Sequence, residues 1–331
     1  MDIVLNKMID LIPIVSPSSL EPLVMDGDKF YAPSTGEEFP IVNSIPRFVK
    51  SDNYTTSFGL QWNKFRKTQL DSYTGVPISR DRLKRIAGGT LDIFNGKNVL
   101  EAGCGAGRFT EILLKAGANV WAADLSVAVD ANYENCKNYS SYFLCQADIL
   151  SLPFPPQQFE IVLCIGVIQH TPVPEKTIEI LCSHVKPGGT LLLDHYPPNY
   201  PMPGLRRLLR VLLLKTGEEF RMAFVKTMVA ILWPIHKATC QNRILWISRL
   251  RQPLLKYSPV VDYQDAYPSL GSRLLYEWAI LDTHDTLTDH YKHLRSAEEI
   301  QSCLGSCGMT NIYTQLAGNG VEARAVKPLD R

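Results

Sequence analysis

The apolar positions in the middle of the chain fall into short continuous runs that alternate with segments of helical periodicity. Five apolar runs are predicted strands: residues 97–102, 120–123, 142–146, 161–165 and 190–194. Helices are predicted among them at residues 108–116, 127–137 and 175–185. Because a strand that is apolar on both sides must be covered on both sides, this alternation predicts a parallel sheet with helices on each face.

The alternation stops after the fifth strand and resumes near the carboxyl end. Residues 205–256 are predicted to be mostly helical, with interruptions at Pro234 and Pro253. After Ser296 the predicted elements are a helix ending at Cys307 and strands near residues 312–316 and 321–326. The pattern therefore predicts an insertion of about 90 residues between the fifth strand and the last helix–strand–strand unit.

The first 50 residues differ in composition from the rest of the chain. They are rich in Pro, Ser and Gly, with strand-like pieces at residues 29–32 and 39–42, and are predicted to form a small β-rich module. From about residue 53 to residue 87 the pattern becomes helical and aromatic. Four segments are predicted: the module over 1–50, a core over 51–200, a helical basic insertion over 201–281 and the end of the core over 282–331.

Composition narrows the class of protein further. The 331 residues carry a net charge of +1, which argues against a generic binder of polyanions. The eight cysteines form no CxxC pair, so we expect free cysteines in a reducing compartment and no zinc site. The amino-terminal stretch lacks the features of a secretory signal, and no apolar run approaches the roughly 20 residues that span a bilayer. A cytoplasmic location is therefore expected.

Three glycines stand within five positions directly after the first core strand, in the stretch VLEAGCGAGRF. A dinucleotide-binding turn has the spacing G-x-G-x-x-G, but Arg108 occupies the place of the third glycine. The spacing instead reads E-x-G-x-G-x-G from Glu101 to Gly107. A tight strand-to-helix turn without a ligand is the alternative interpretation of this loop.

This loop resembles the first motif of class I S-adenosylmethionine-dependent methyltransferases. Asp124 in VWAADLS, then QADILSLPF, FEIVLCIGVIQHTP and VKPGGTLLL, follow in the order and spacing of that family. The chain is similar to the type 11 branch over residues 54–200 and 282–326. The resemblance implies an α/β fold, a Rossmann-like seven-stranded sheet with helices on both faces, and S-adenosylmethionine as the cofactor.

The resemblance also implies which residues hold the cofactor. Asp124 ends the second core strand, where an acid can accept both ribose hydroxyls, and in the family an acid at Asp148 meets the adenine amino group. The predicted cofactor-binding residues are Glu101, Gly103, Cys104, Gly105, Gly107, Asp124, Leu125, Asp148, Ile149 and Ile165. The alternative for Asp124 is a helix cap, a part that Ser126 could also play.

The first 50 residues look like a degenerate zinc-ribbon module of the Trm112 type. In that pattern, cysteines flank the first turn and recur before a segment like YPI..GIP. The corresponding stretches here, IVSPSS and YAPSTGEEFPIVNSIP, contain no cysteine, so the module is expected to have lost its metal. The loss puts in doubt the substrate guidance that such modules provide in RNA-modifying relatives.

Transfer to a hydroxyl needs alignment and usually a general base, for which histidine is best suited near neutral pH. Candidates are residues that follow core strands four and five or end the insertion, because ligands bind beyond the carboxyl ends of strands. Predicted catalytic residues are His170, His195, His284 and His290, and predicted substrate residues are Tyr196, Asp285 and Tyr291. A solvated loop with a helix cap is the alternative for the last stretch, and a metal site is disfavoured. His184 and His236 are interpreted as surface or interface residues.

The insertion is strongly basic. Residues 201–260 contain eleven Lys and Arg against Glu218 and Glu219, and 11 − 2 is a local charge of +9. Five leucines fall on one helical face: Leu205, Leu208, Leu209, Leu212 and Leu213. The pattern fits either a lid packed on the core with arginines at its rim, or a peripheral contact with a membrane or an anionic acceptor. Nucleic acid is disfavoured, because the basic residues alternate with leucines rather than with exposed aromatics.

These patterns favour an S-adenosylmethionine-dependent methyltransferase that acts on a small-molecule or lipid-linked acceptor, at oxygen. Methylation of RNA is the enzymatic alternative, suggested by the amino-terminal module and disfavoured by its missing cysteines. A cofactor-binding but non-catalytic partner protein is the alternative from another class.

Overall fold

Two compact units make up the chain, of which the computed structural model describes residues 2–49, 56–241, 249–318 and 320–329. The first unit comprises Met1–Arg66, Pro77–Pro198 and Tyr291–Arg331, and the second comprises Lys67–Val76 and Asn199–His290. The four predicted segments and their boundaries stay predictions.

The amino-terminal part of the first unit is a helix followed by a small antiparallel sheet. Helix α1 spans Asp2–Leu11, and the four strands are β1 (Val24–Asp26), β2 (Lys29–Tyr31), β3 (Glu38–Val42) and β4 (Ile45–Pro46). The two strand-like pieces of the sequence are β2 and β3. Helix α1 was not predicted.

A carboxylate joins two turns of this module. Ser16 Oγ and Ser18 Oγ each donate a hydrogen bond of 2.6 Å to Glu37. These residues lie in the stretches where the resemblance to a zinc ribbon would place cysteines. Among the described residues, no group of three or more His, Cys, Asp or Glu side chains is arranged to hold a metal ion. The likeness to a Trm112-type module stays a prediction.

Helices and strands then alternate as the sequence pattern predicts. The helices up to residue 184 are α2 (Thr56–Lys64), α3 (Asp71–Thr74, in the second unit), α4 (Ile78–Ile86), α5 (Thr110–Lys115), α6 (Ala128–Cys136) and α7 (Pro174–His184). The strands are β5 (Asn98–Ala102), β6 (Asn119–Asp124), β7 (Tyr142–Gln146), β8 (Phe159–Cys164) and β9 (Val185–His195). All five predicted strands are present, and β9 begins earlier than expected because the VKPGG stretch is already extended.

The second unit is helical in its described part. Its longer helices are α8 (Gly204–Leu213), α9 (Glu218–Gln241), α10 (Arg251–Tyr257) and α11 (Gly271–Thr288). The predicted interruption at Pro234 is wrong, since α9 continues through this residue, and Pro253 lies in the first turn of α10, where the missing amide proton costs little. No helix among the described residues is long and apolar enough to cross a membrane.

The chain returns to the first unit with α12 (Ala297–Ser306), β10 (Thr310–Ala317) and β11 (Gly320–Val326). Ser296 and Glu299 cap the start of α12 reciprocally, which explains why the helix begins there. In the described part of the chain, seven strands form one sheet in the order β10-β11-β9-β8-β5-β6-β7. Strands β5 to β9 are parallel, and β11 is antiparallel to both neighbours. The predicted fold class is confirmed.

Each face of this sheet has its own apolar core, because successive side chains of a strand point to opposite sides. On one face Trp121, Phe143, Phe154 and Phe159 pack edge to face, with ring centroids 5.4–6.0 Å apart. The other core contains Val120 and Leu144 with the buried side of α4 and α5. The sheet is therefore covered on both sides, as its continuous apolar strands require.

The amino-terminal module contacts the core at β7 and α6. The Phe48 amide donates to the Gln146 carbonyl at the end of β7, with an N···O distance of 2.8 Å. Arg47 forms an isolated parallel bridge with Gln146 and an ion pair of 2.6 Å with Asp130 on α6. Backbone pairing and charge together fix the module on this strand.

Candidate functional site

The glycine loop leaves β5 at the carboxyl end of the strand and leads into α5. Gly103, Gly105 and Gly107 have φ angles of 82°, 49° and 92°, which residues with a side chain rarely adopt. The amides of Gly103 and Cys104 both donate to the Ala123 carbonyl, at 2.7 and 3.1 Å. The loop is thus held against the neighbouring strand β6.

The space around the three glycines differs. A β-carbon at Gly103 would lie 2.4 Å from the Val167 side chain, and one at Gly107 would crowd side chains of α6 at 3.2 Å. At Gly105 the nearest atoms belong to Trp62 on α2, at 3.8 Å, which is an ordinary contact. Packing within the protein accounts for the first and third glycines, so Gly105 is the position where the loop is open to a ligand.

The Asp124 carboxylate is fixed at both oxygens. Its Oδ2 accepts from the Gly105 amide at 2.9 Å, and its Oδ1 accepts from the amide and hydroxyl of Ser126 at 2.8 and 2.6 Å. Ser126 Oγ accepts from the amide of Ala128, the first residue of α6, whereas Val127 at the cap position has no side-chain cap. Burial raises the pKa of Asp124, and these donors oppose that shift. Because a carboxylate oxygen can accept two hydrogen bonds, Oδ2 keeps capacity for a ligand hydroxyl.

A chain of buried hydrogen bonds runs from β7 to the start of the glycine loop. Tyr142 Oη donates to Asn132 Oδ1 at 2.6 Å, and Asn132 Nδ2 donates to Thr110 Oγ1 at 3.0 Å. Thr110 Oγ1 then donates to Glu101 Oε2 at 2.6 Å. Burial raises the pKa of Glu101 to about 8, so this carboxyl holds a proton at neutral pH. A cationic ligand beside it would favour the ionised form.

The other predicted cofactor residues follow strands of the same parallel set, and the carboxyl ends of parallel strands meet at one edge. Asp148 Oδ1 accepts from the backbone of the short turn that it begins, at 2.9 Å. Ile149, Ile165 and Cys104 have buried side chains. The Leu125 carbonyl accepts from a glutamine amide at the end of β7. The structure thus places all ten predicted residues at, or just beyond, the carboxyl ends of the parallel strands.

Two ion pairs tie α4 to neighbouring strands. Arg82 pairs with Asp194 at the end of β9, and Asp194 Oδ1 also accepts from the Gly166 amide after β8 at 2.6 Å. Arg85 binds the Glu322 carboxylate on β11 through two nitrogens, at 2.5–3.1 Å. Asp194 and Glu322 are direct partners across the antiparallel ladder. Each guanidinium therefore offsets the repulsion between neighbouring buried carboxylates.

Helix α4 also reaches the glycine loop, where Arg108 Nε donates to Ser79 Oγ at 2.7 Å and Arg82 lies 5.8 Å from the centre of the Phe109 ring. Sequence reasoning missed these positioning residues, because Arg82 and its partner are 112 residues apart. The spacing of Arg82 and Arg85 on one side of a helix is the only signal that the sequence carries.

Four of the predicted acceptor-side residues lie in the first unit. His170 Nδ1 is 3.1 Å from the Tyr291 carbonyl oxygen, and the His170 ring packs edge-on against Tyr196 with centroids 5.4 Å apart. The Lys292 ammonium lies 5.2 Å from the centre of the Tyr196 ring. Because a carbonyl oxygen only accepts, Nδ1 of His170 carries the ring proton and Nε2 is the nitrogen that can take another.

His195, the fourth of these residues, has the same tautomer but a different environment. Its Nδ1 donates to the Tyr196 carbonyl at 3.0 Å, and burial lowers its pKa, so the ring is neutral at pH 7. Its Nε2 has no hydrogen-bond partner among the described residues. His195 is 1% exposed and His170 is 9% exposed, so a ligand reaches His170 more readily.

Backbone hydrogen bonds join the segment after Tyr291 to the loops that follow β8 and β9. The His293 amide donates to the Gln169 carbonyl and the Arg295 amide to the Tyr196 carbonyl, both at 2.9 Å. Gln169 Oε1 and His293 Nε2 are buried atoms without a partner in the described part of the chain. Neither residue was a predicted site residue, although His293 belongs to the histidine-rich stretch that the sequence shows.

The remaining predicted residues belong to the second unit. His284 and Asp285 lie on α11, which ends at Thr288. The alternative of a solvated loop is therefore wrong for the part of the histidine-rich stretch up to Thr288. His284 is buried and its Nδ1 is 3.3 Å from Thr288 Oγ1, one helical turn away, whereas His290 is exposed beyond the end of α11. The predicted catalytic and substrate residues are thus divided between the two units, four in the first and three in the second.

Two histidines interpreted as surface or interface residues are buried, so a surface position is wrong for both. His184 Nδ1 lies 2.9 Å from the Ile180 carbonyl, and burial lowers its pKa. In the second unit, His236 Nδ1 lies 2.7 Å from Asp262 Oδ2 and its Nε2 lies 2.8 Å from Ser258 Oγ. A buried imidazole is tolerated here because both ring nitrogens have partners.

Comparison with known proteins finds a family match within the first unit. Residues 100–193 match the family described as a methyltransferase domain. This segment contains the glycine loop, Asp124 and Asp148, and it is similar to methyltransferase domains. The recognition made from the sequence motifs is confirmed for this part of the chain.

Individual relatives match over a shorter part of their length. The ubiquinone biosynthesis O-methyltransferase of Coxiella burnetii (strain Dugway 5J108-111) is 34% identical over 108 residues, which are 32% of this chain and 46% of that protein. The enzyme of the same name from Azoarcus sp. (strain BH72) is 34% identical over 110 residues, with the same coverages. The chain thus spans less than half the length of these relatives. Magnesium protoporphyrin IX methyltransferase from Synechocystis PCC 6803, solved with bound SAH, is 16% identical with a TM-score of 0.42, covering 83% of this chain and 96% of that one.

Proposed function

We propose that this protein transfers a methyl group from S-adenosylmethionine to a small-molecule or lipid-linked acceptor, at oxygen. The observation that carries the proposal is the pairing of Gly105, where the loop is open, with the Asp124 carboxylate that its amide holds. Both residues lie within the segment that matches the methyltransferase family. The names of the two partial relatives, which are O-methyltransferases, support oxygen as the acceptor atom.

The residues at this edge of the sheet fit the cofactor. Asp124 Oδ2 has hydrogen-bonding capacity for a ribose hydroxyl, and Asp148 begins the turn that would meet the adenine amino group. Ile149 and Ile165 add apolar side chains beside it. Glu101 stands where an ammonium group would convert it to its ionised form. When bound, S-adenosylmethionine supplies an electrophilic methyl group on a sulfonium.

His170 is the general base of this proposal. Its Nδ1 proton is directed to the Tyr291 carbonyl, so Nε2 is the nitrogen that accepts the proton of an acceptor hydroxyl. Tyr196 packs against the ring and limits its rotation. Tyr196 and Tyr291 are the substrate-contacting candidates of the first unit. His195, buried more deeply, is the second candidate for the base.

The candidates of the second unit are weaker. His284 is buried and belongs to the interior of α11, and Asp285 lies on the same helix. His290 is exposed and is the histidine of this unit that a ligand could reach. His290 can therefore contribute only if the acceptor binds beside its exposed side chain.

Calorimetric titration tests the cofactor assignment. The protein should bind S-adenosylmethionine and its demethylated product and should not bind NAD, because Arg108 replaces the third glycine of a dinucleotide loop. Binding of NAD without binding of S-adenosylmethionine would remove the proposal.

Transfer of labelled methyl groups into cell fractions tests the acceptor and the base. Label should enter a small-molecule or lipid fraction, and His170→Ala should lower its incorporation while leaving cofactor affinity near normal. His290→Ala is the matched variant, and equal losses in both would divide the role between them. Label in RNA would favour the RNA methyltransferase alternative, and bound cofactor without any labelled product would indicate a non-catalytic partner.

A further inference from the structure

The exposed apolar side chains of α8 are the starting point of a further inference. Of the five leucines on its predicted face, Leu205, Leu208 and Leu212 are exposed and only Leu213 is fully buried. The side of α8 that packs within the second unit is therefore not its leucine side. We call its outward apolar side the α8 face, defined as Leu205, Leu208, Val211 and Leu212.

Arginines occupy the inward side of α8 because the folded second unit offers them partners. Arg206 is buried and donates to the carbonyls of Pro201, Pro259 and Val260 at 2.9–3.2 Å. Arg210 Nε donates to the buried Asp289 carboxylate at 2.8 Å. These contacts hold the helix in the rotation that turns its leucines outward.

Several basic residues of the second unit face solvent, and among them Arg207 lies on α8 and Lys215 just after it. The exposed Lys and Arg in the described part of residues 201–260 are Arg207, Lys215, Lys237, Arg249 and Lys256. The corresponding acids are Glu218, which pairs with Arg221, and Glu219, which is exposed. The described part of residues 201–260 thus carries five exposed bases and one exposed acid. Helix α9 also has exposed apolar side chains, at Phe220, Ile231 and Ile235.

We propose that the α8 face inserts at the surface of an anionic phospholipid bilayer. An apolar helical side flanked by lysines and arginines is the pattern of a helix that lies in the membrane interface. Removing the leucines from water drives insertion, and each nearby Lys or Arg adds attraction to anionic lipid. The proposal concerns a peripheral contact, and it does not depend on which reaction the protein catalyses.

Charge argues for lipid over the other occupants of an exposed apolar helix. A second copy of this chain would bring the same excess of positive charge to the same face, so self-association there would place like charges together. A nucleic acid would match the charge but would leave the leucines in water. Only an anionic bilayer satisfies both the apolar and the basic side chains.

Sedimentation with lipid vesicles tests the proposal without cofactor or acceptor. At low salt the full chain should sediment with vesicles that contain phosphatidylglycerol and stay in solution with vesicles of phosphatidylcholine alone. Salt should weaken binding, because the Debye length falls to about 3 Å at 1 M. Leu208→Glu should lower the partition coefficient at least about tenfold, because it replaces an inserting apolar group by a negative charge.

Leu316→Glu is the matched control, since Leu316 on β10 is 63% exposed against 57% for Leu208. It should sediment like the unaltered protein, and both variants should keep the unaltered protein's unfolding midpoint. Equal loss in both variants, or no sedimentation with phosphatidylglycerol at low salt, would overturn the proposal. A dimer in solution that Leu208→Glu dissociates would overturn it in favour of self-association.

Discussion

Arginines on α4 in the first unit and on α8 in the second unit have different kinds of partner. Arg82 and Arg85 pair with carboxylates on two strands of the sheet, far away in the sequence. On α8, Arg206 binds backbone carbonyls and Arg210 binds an acid beyond α11, while Arg207 between them is exposed. The same residue type therefore stabilises the interior in one position and charges the surface in the next. Charge counted along a sequence does not measure the charge that faces solvent.

Breaking the Arg82–Asp194 pair should have the largest effect. Arg82→Met leaves a buried carboxylate without its cation, so the free energy of unfolding should fall by about 3–5 kcal/mol. Chemical denaturation measures it. Lys84→Met, on the exposed side of the same helix, should change stability by no more than about 0.5 kcal/mol. Similar losses in both variants would mean that breaking the buried ion pair costs no more free energy than removing an exposed charge.

Removing an arginine from α8 should change the free energy of unfolding by a smaller amount, and the two arginines compared lie on the same helix. Arg210→Met removes a charged hydrogen bond to Asp289 and should lower the free energy of unfolding by roughly 1.5–3 kcal/mol. Arg207→Met, three residues earlier, should stay within about 0.5 kcal/mol of the unaltered protein. Thermal or chemical denaturation of the two variants side by side decides whether inward and outward arginines differ as the structure indicates.

Asp124→Asn should affect both the loop and the cofactor. An amide cannot accept from Gly105 and Ser126 and also from a ribose hydroxyl, so the dissociation constant for S-adenosylmethionine should rise at least about tenfold, or about 1.4 kcal/mol. Some stability should be lost without ligand as well, because three hydrogen bonds converge on this carboxylate. Asp81→Asn, exposed on α4, serves as the control in calorimetry. Unchanged affinity in Asp124→Asn would place the ribose elsewhere.

Glu101 should make the free energy of unfolding depend on pH. Counted for each pH unit, this is the smallest of the predicted effects. The folded chain keeps a proton on Glu101 up to about pH 8, whereas the unfolded chain releases it near its ordinary pKa of 4.5. Stability contributed by this group is therefore lost as pH rises between these values, by at most about 1.4 kcal/mol for each unit. Glu101→Gln should flatten denaturation midpoints from pH 5 to pH 8. The exposed Glu179→Gln should retain the slope, and a slope retained in Glu101→Gln would assign it to another group.

Much of the core follows from the sequence because its determinants are local. Apolar runs predict β5 to β9, and glycine spacing predicts the turn at residues 103–107. The second unit resists the same reasoning. Helix α9 continues through Pro234, and the leucines of α8 face outward because partners more than 50 residues away hold Arg206 and Arg210 inside. Neither outcome is encoded in a local period.

The site shows the same division. The predicted cofactor residues lie near one another because each stands at or just after the carboxyl end of a parallel strand, and strand ends converge. The tautomers of His170 and His195 depend on carbonyl partners that only the fold supplies. His236 is tolerated in the interior because Asp262 and Ser258 satisfy its nitrogens. A sequence shows that a histidine is present. It does not show which nitrogen carries the proton.

The contact between the amino-terminal module and β7 bears on how the protein avoids aggregation. Strand β7 is the last strand of the sheet, and such a strand exposes backbone groups that can pair with another chain. The Phe48 amide and the bridge at Arg47 occupy part of this edge. A module without cysteines can therefore still protect the sheet. Its removal would open β7 to pairing between molecules and favour precipitation over folding.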